Sequence, residues 1–600
     1  MPPQTENPKY ELEPVDDIHT YLDPHLQRTI LRHCHRIPAR ACAGRESSAE
    51  PSTVEVTARL WDSNQAVPGL QVVTTAGDVV TGTVDVTDIQ TVRNDPNIRS
   101  LKGASPIAPA LKISVPEIRG EQTQITAELP PGSSTINGAG VIVGIVDAGC
   151  DFAHPNFRNE DGTTRLLYLW DQTRTLDAQH APDPFGFGTE YDSNAINAAL
   201  HSTDAYSRYN PGPAAHGTHV MDIAAGNGRV GGSGVAPQAD LIFVHAYSND
   251  VAQSDNLGNS RRLLDAVAYI FAKARSLNKP AVVNLSVGTN GGPHDGSSLV
   301  EQGIDNLLDE HNRAVVIAAS NTWEERIHAA GVIPAGGSRS LTWELPAHDQ
   351  TDNEVEIWYS GGSELRLTLV DPDGAEVGPF PLGTTNLLKS NGVKVGAVFH
   401  RRDDPNNHDN QIDILFSPQL PAGSWSIVLE NISGDPAEFH AWIERDDDGS
   451  SRFSDADNDP RFTISSIACG HKTIVVGSYD ATTFGAPISG FSAEGPTRDR
   501  RAKPEVSAPG EGVKAAESLT QSIMAKSGTS MAAPHVAGLI ALLMQAASQP
   551  LTIADIRQIV FSFARREPPG GDEWESRYGD GRIDVASSVR SIVAALVTTA

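Results

Sequence analysis

The chain is poor in cysteine, in positive charge and in long apolar runs. Four cysteines, Cys34, Cys42, Cys150 and Cys469, occur in 600 residues, and their irregular spacing implies no disulfide framework. No stretch reaches the roughly 18 continuous apolar residues of a membrane span. The opening residues Met1 to Pro8 carry no basic cluster and no apolar core, so no secretory leader is predicted. These absences predict a cytoplasmic enzyme, with export by another route left open. Lys and Arg number 46 against 75 Asp and Glu, a formal net charge of −29. Neither nucleic acid nor an anionic membrane is expected to bind such a chain. The excess suits solubility and weakly favours cationic substrates.

What the chain does have is organised around Ser527-Gly528-Thr529-Ser530-Met531-Ala532-Ala533-Pro534-His535-Val536-Ala537-Gly538. A Gly-Thr turn leads into a nearly uncharged run, Met531 to Ala547, which predicts a helix buried on all sides. Pro534 is tolerated in the first turn, and the small residues let neighbours approach closely. Ser530 then sits at the helix's amino end, where free N–H groups and the helix dipole favour a developing negative charge. A nucleophile that generates an oxyanion is well placed there. The plainer alternative is an N-cap serine on a core helix.

Two further segments supply partners. Val141-Ile142-Val143-Gly144-Ile145-Val146 is a continuous apolar run, as in a parallel strand covered on both faces. It ends in Asp147, at the end of the strand where open α/β sheets place active residues. His216-Gly217-Thr218-His219-Val220 opens a helix. With the S-G-T-S-M-A-A-P-H segment, these residues make the chain resemble the subtilisin-like serine peptidases, or subtilases. The resemblance covers about 138–322 and 461–590. It implies a three-layer α/β fold with a mostly parallel central sheet. Asp147, His216 and Ser530 stand as catalytic triad in the subtilisin chain order. Asn321, after the strand Ala314 to Ala319, completes the oxyanion hole with Ser530. Ser286, Val287 and Gly288 correspond to the edge that pairs with the substrate backbone. His219 is expected to be structural.

Two departures stand out. Ala148 replaces the hydroxyl residue of the family's D-[ST]-G, which weakens support for Asp147. Ser320 replaces the glycine before the oxyanion asparagine, which costs something if the turn needs a positive φ.

The chain divides by pattern. Residues 1–51 form a partly helical extension, in which His33-Cys34-His35 lacks further partners for a metal. Residues 52–110 read as a small α/β unit of mixed order. Its strands are Val54–Leu60 and Val80–Val86, with a short helix at Asp88–Arg93 and a last strand near Leu101. Its position resembles the subtilase propeptide; an accessory ferredoxin-like module is the alternative. Residues 111–137 are a linker and processing region. The catalytic domain spans 138–324 and 461–600, interrupted by a β-sandwich at 325–460. Strands there are expected at Glu354–Tyr359, Leu365–Val370, Ile412–Phe416 and Ser424–Leu429, with Asp371-Pro372-Asp373-Gly374 and Pro421-Ala422-Gly423 as turns.

A jelly-roll-like insertion fits the Csp-type branch of the family. Tyr168–Thr173 and Phe185–Tyr191 resemble that branch too. Asp455-Ala456-Asp457-Asn458-Asp459 alternates carboxylates without the glycine and distal glutamate of a calcium loop. No metal or other cofactor is expected to be required, and calcium is left open.

The expected function is peptide-bond hydrolysis through an acyl-enzyme, with removal of an N-terminal propeptide and restricted specificity. A binding scaffold on an inactive protease fold and a transpeptidase or cyclase are the rival readings. The expected partner is a protein or peptide substrate; the oligomeric state does not follow from the sequence.

Overall fold

The computed structural model describes residues 10–14, 22–33, 53–103, 115–176, 179–246, 260–347, 349, 351–444 and 451–599. The central sheet has eight strands. Their order is Val506–Pro509, Ile474–Tyr479, Arg313–Ala318, Ala281–Leu285, Ile142–Asp147, Asp240–His245, Leu166–Asp171 and Thr189–Asp192. Every neighbouring pair is parallel except the last, which is antiparallel. Ile142–Asp147 and Arg313–Ala318 are buried at every position, as their unbroken apolar sequences predict.

Alternation along the strands assigns the two helical layers. Gly144 faces Ile270 of the Ser260–Ser276 helix, where a Cβ would come within 2.7 Å. Phe243, paired beside Ile145, faces the opposite layer and the helix His216–Ala225. The apolar helix Thr529–Ala546 packs in that second layer and is buried along nearly its whole length. It is long and apolar enough to cross a membrane, but 94% of that window lies inside the core.

The insertion is a sandwich of two antiparallel sheets. One has the order Tyr10–Pro14, Thr384–Ser390, Val393–Arg401, Asn410–Phe416, Asn353–Tyr359, Ala437–Ile443, His328–Ile333. The other runs Glu376–Phe380, Leu365–Val370, Gly423–Asn431, Ser338–Leu345, Arg452–Phe453. Trp343, Phe416 and Trp425 fill the space between them. The four anticipated strands are present, at Asn353–Tyr359, Leu365–Val370, Asn410–Phe416 and Gly423–Asn431. Thr384–Ser390 and Val393–Arg401 escaped the sequence reading because lysines and glycine break their alternation.

The N-terminal unit is a four-stranded sheet, in the order Leu70–Ala76, Val79–Asp85, Thr53–Leu60, Ile98–Gly103. All its pairs are antiparallel. One face lies on the helices Ser260–Ser276 and Leu299–Leu307. There Thr81 donates to the buried Asp265, and Asn306 Nδ2 reaches Ala76 O at 2.9 Å. The other face shares a core with the helix Pro24–His33, through Leu26 and Leu31, and with Leu387 and Phe399 of the sandwich.

The expected linker at 111–137 needs correction over its described part. Residues 115–137 include the helix Gln122–Glu128, and Ile118 and Ile125 belong to the main core. Arg119 pairs with Asp584 at 2.8 Å, and Glu117 meets Arg565 and Arg582. Polar composition suggested a loop, but these charges are spent on distant partners. Residues 104–114 lie outside the described set, as do Cys34, His35 and Cys42.

Candidate active site

Three elements deliver the residues expected as a triad to the carboxyl end of the sheet. Asp147 ends its strand and is fully buried. His216 is the first residue of its helix and is 4% exposed. Gly217 lets that helix approach: a Cβ there would lie 2.4 Å from Phe243 and 3.0 Å from the Cβ of Asp147. The result is a 2.5 Å bond between His216 Nδ1 and Asp147 Oδ1. The same oxygen accepts from Ala148 N at 2.7 Å. Ala148 has no hydroxyl to add; its backbone amide anchors the carboxylate from this turn.

Ser530 follows Thr529 in the first turn of the long helix, is 3% exposed, and has its amide among the helix's first N–H groups. Gly528 precedes them at φ 149°, and its N–H donates to Gly510 O at 2.7 Å. Ser530 Oγ donates to Ser286 O at 3.2 Å, and Ser530 O accepts from Ser286 Oγ at 2.9 Å. Asn284 Nδ2 in turn donates to Ser286 Oγ at 2.9 Å. Ser286 and Val287 are buried and Gly288 is half-buried. Ser286 thus supports Ser530, a contact not anticipated from sequence.

Asn321 faces the same helix turn. Its Oδ1 accepts from Thr529 N at 2.9 Å and Thr529 Oγ1 at 3.0 Å. This commits the oxygen and leaves the Nδ2 donors for a ligand. Ser320 adopts φ 116°, the positive value anticipated as a cost for a residue with a Cβ. Its N–H donates to Thr529 Oγ1 at 3.3 Å, so Thr529 ties both residues of the turn.

Other polar residues hold the site without facing it. His219 Nε2 lies 3.1 Å from Val513 O and 3.2 Å from Met524 O, clamping the hairpin that leads to Ser530. Burial, then the charge of Lys526, keep its pKa well below the ordinary histidine value. Lys526 Nζ donates to Ala214 O at 2.6 Å, two residues before His216, and burial lowers its own pKa. Asp222, on the His216 helix, accepts from Asn156 Nδ2 and Ala516 N, both at 2.8 Å. Burial pushes its pKa up to about 7 despite these bonds. His219 is structural, as its motif implied; no local motif marks Asp222 or Lys526, because their partners are distant in sequence.

The three carboxylates left open for calcium are each engaged by protein groups. Asp455 meets Arg326, Asp457 meets Arg339 and Thr342 N, and Asp459 meets Arg461. Among the described residues, no group of three or more His, Cys, Asp or Glu is arranged to hold a metal.

Comparison with known proteins identifies the family. A family model described as the subtilase family matches residues 138–353 and 437–581. The major intracellular serine protease of Bacillus subtilis (strain 168) is 26% identical over 300 residues, covering 46% of this chain and 80% of that protein. The subtilisin-like protease PopC of Myxococcus xanthus (strain DK1622) is 28% identical over 210 residues, covering 33% of this chain and 37% of that protein. The solved structure of the Clostridium perfringens CspB protease superposes with a TM-score of 0.67 at 25% identity. That match covers 78% of this chain and 97% of the other. Names among the relatives include both intracellular and extracellular enzymes.

Proposed function

The chain belongs to the subtilase family and is a subtilisin-like serine endopeptidase; from that premise we propose that Asp147, His216 and Ser530 act as its catalytic triad. His216 takes the proton of Ser530 Oγ as the oxygen attacks a peptide carbonyl. Asp147 fixes the tautomer with the proton on Nδ1 and stabilises the imidazolium that forms. The Ser530 N–H and Asn321 Nδ2 receive the oxyanion. His216 then protonates the leaving amine, and water, activated by the same imidazole, releases the acyl group. The observation that carries this reading is the 2.5 Å Asp147–His216 bond, made beside the amino end of the helix that bears Ser530.

The four-stranded unit is proposed as a propeptide, with its cut between Gly103 and Val115, because residues from 115 onward are built into the catalytic core. The proposed compartment is the cytoplasm, in keeping with the name of the Bacillus intracellular relative. Protein or peptide substrates pair with the edge Ser286–Gly288.

Intact mass after a fluorophosphonate probe tests the central assignment. One adduct on the wild-type chain and none on Ser530→Ala is expected. Labelling of both chains would reject Ser530 as nucleophile. In the same spectra, a cut between residues 103 and 115 supports the propeptide, and an uncut but labelled chain removes it.

A further inference from the structure

A buried carboxylate of the inserted sandwich reaches the turn that follows Gly288. The sandwich strand Ala437–Ile443 lies between Asn353–Tyr359 and His328–Ile333 in the larger sheet. The next residue, Glu444, leaves the sandwich and is 8% exposed. Its N–H is still held by Glu354 O at 2.9 Å, so the backbone is anchored to the insertion up to this residue.

The Glu444 carboxylate takes three hydrogen bonds from a single turn of the catalytic domain. Thr289 Oγ1 donates to Oε2 at 2.5 Å, Asn290 N to Oε1 at 3.0 Å, and Gly291 N to Oε2 at 3.0 Å. Successive backbone N–H groups make an anion cradle, and bonds to a charged acceptor are about twice as strong as neutral ones. The turn starts at the residue after Gly288.

Thr289 is gripped from its other side by Ser465. Ser465 Oγ accepts from Thr289 N and donates to Thr289 O, both at 3.0 Å, and Ser466 N donates to the same carbonyl at 3.0 Å. Ser465 N donates to Ala319 O at 2.9 Å, one residue before Ser320-Asn321. The end of the substrate edge and the start of the oxyanion turn therefore share Ser465. Glu444 holds this assembly from the side of the inserted sandwich. Beyond the turn, His294 stacks on Trp442 of the same sandwich strand at 4.0 Å.

We propose that Glu444 is a positioning residue for the peptidase: it holds the edge Ser286–Gly288 in register with Ser530 and Asn321 for an incoming peptide strand. The inference rests on the reading of that edge as the substrate's partner. Binding by strand addition uses backbone hydrogen bonds over several residues, so a loosened edge weakens peptide binding. Chemistry at Ser530 on a small acyl group needs only the triad and the oxyanion donors.

The test compares the full-length wild type with Glu444→Gln and Glu444→Asp. Active sites are counted with a fluorophosphonate, and rates are measured on an extended peptide and on a single-residue ester. Glu444→Gln turns one acceptor into a donor facing the Thr289–Gly291 turn. KM for the peptide is expected to rise about tenfold, with kcat within about threefold, as the loss of a charge-assisted bond predicts. The ester's kcat/KM and the labelling rate stay unchanged, and Glu444→Asp recovers part of the KM. Thr289→Ala removes one of the three bonds and covers the case in which Glu444→Gln does not fold; its peptide KM is expected to rise about threefold.

An unchanged peptide KM in these variants overturns the proposal. An equal loss on peptide and ester also overturns it, since that marks a merely structural role. A peptide N-methylated at the residues facing Ser286–Gly288 separates the underlying reading. If wild type binds it as well as the parent peptide, the strand-addition edge itself is wrong. If wild type discriminates and Glu444→Gln keeps the parent KM, only the role of Glu444 fails.

Discussion

Two histidine environments in this molecule are built in opposite senses. At the end of the parallel sheet, His216 has a carboxylate at 2.5 Å, which fixes the orientation of its ring. At the junction with the sandwich, His294, His328 and His440 sit among Trp442, Phe462 and each other. His328 Nε2 meets His440 Nδ1 at 3.0 Å, and His328 Nδ1 donates to Asp459 O at 3.0 Å. Burial lowers their pKa values to about 3, 4 and 2 in that order of naming. Arg498 and Arg500 push His440 further in the same direction. Its neighbour Glu438 is half exposed and 3.6 Å away. The difference teaches that burial alone makes histidine an inert packing ring. A carboxylate fixed by its own strand end gives the ring a partner that sets its orientation.

The comparison breaks most completely at Asp147. Asp147→Asn should lower kcat about 10⁴-fold with the fold intact, because the amide selects the wrong tautomer. Activity within tenfold of wild type would put His216 on the inert side of the comparison. Next in size is the oxyanion pair. Asn321→Ala should lower kcat on the order of 10²–10³-fold with little change in KM. A matching loss in fluorophosphonate labelling rate checks it.

The sandwich histidines should announce themselves in stability, not in rate. Their folded pKa values lie below the unfolded value of about 6.5, so unfolding takes up protons below that pH. Stability is therefore full above about 6.5 and falls as pH drops toward about 4, where His328 begins to protonate in the folded state. Each such histidine adds at most about 1.4 kcal/mol per pH unit to the slope. His440→Gln should flatten the pH dependence of the thermal midpoint in this window. An unchanged slope would show that the cluster is solvated.

The smallest effect is expected at Ser320. Ser320→Gly should stabilise the chain by about 1 kcal/mol by relieving the φ of 116°. A thermal melt reads it, and kcat should stay within twofold.

Much of this was legible in order along the chain. Apolar runs gave the buried strands and the Ser530 helix, and short motifs gave the triad residues their places. One missing glycine raised the condition that Ser320 meets, a positive φ. What could not be read depends on partners far apart. Thr289 and Glu444 are separated by 155 residues, and Ser286 and Ser530 by 244. The polar segment 115–137 looked like a connector because its cations and carboxylates gave no hint of Asp584 or Arg565. Leu70–Ala76 was missed because three threonine and glutamine positions dilute its apolar signal, and its pairing with Val79–Asp85 decides the matter.

The strand Tyr10–Pro14 lies along Thr384–Ser390 at the rim of the larger sandwich sheet. A rim strand without a cover offers its unused N–H and C=O groups to any passing chain. The leading segment therefore works as a hem for the sheet. The helix after it likewise shields Leu387, Ala397, Phe399 and Leu415. Producing the protease without its first hundred residues would bare both the rim and this greasy face. The shortened protein should accumulate as insoluble aggregate, so the proposed cut between residues 103 and 115 has to leave the leading unit seated on the sandwich.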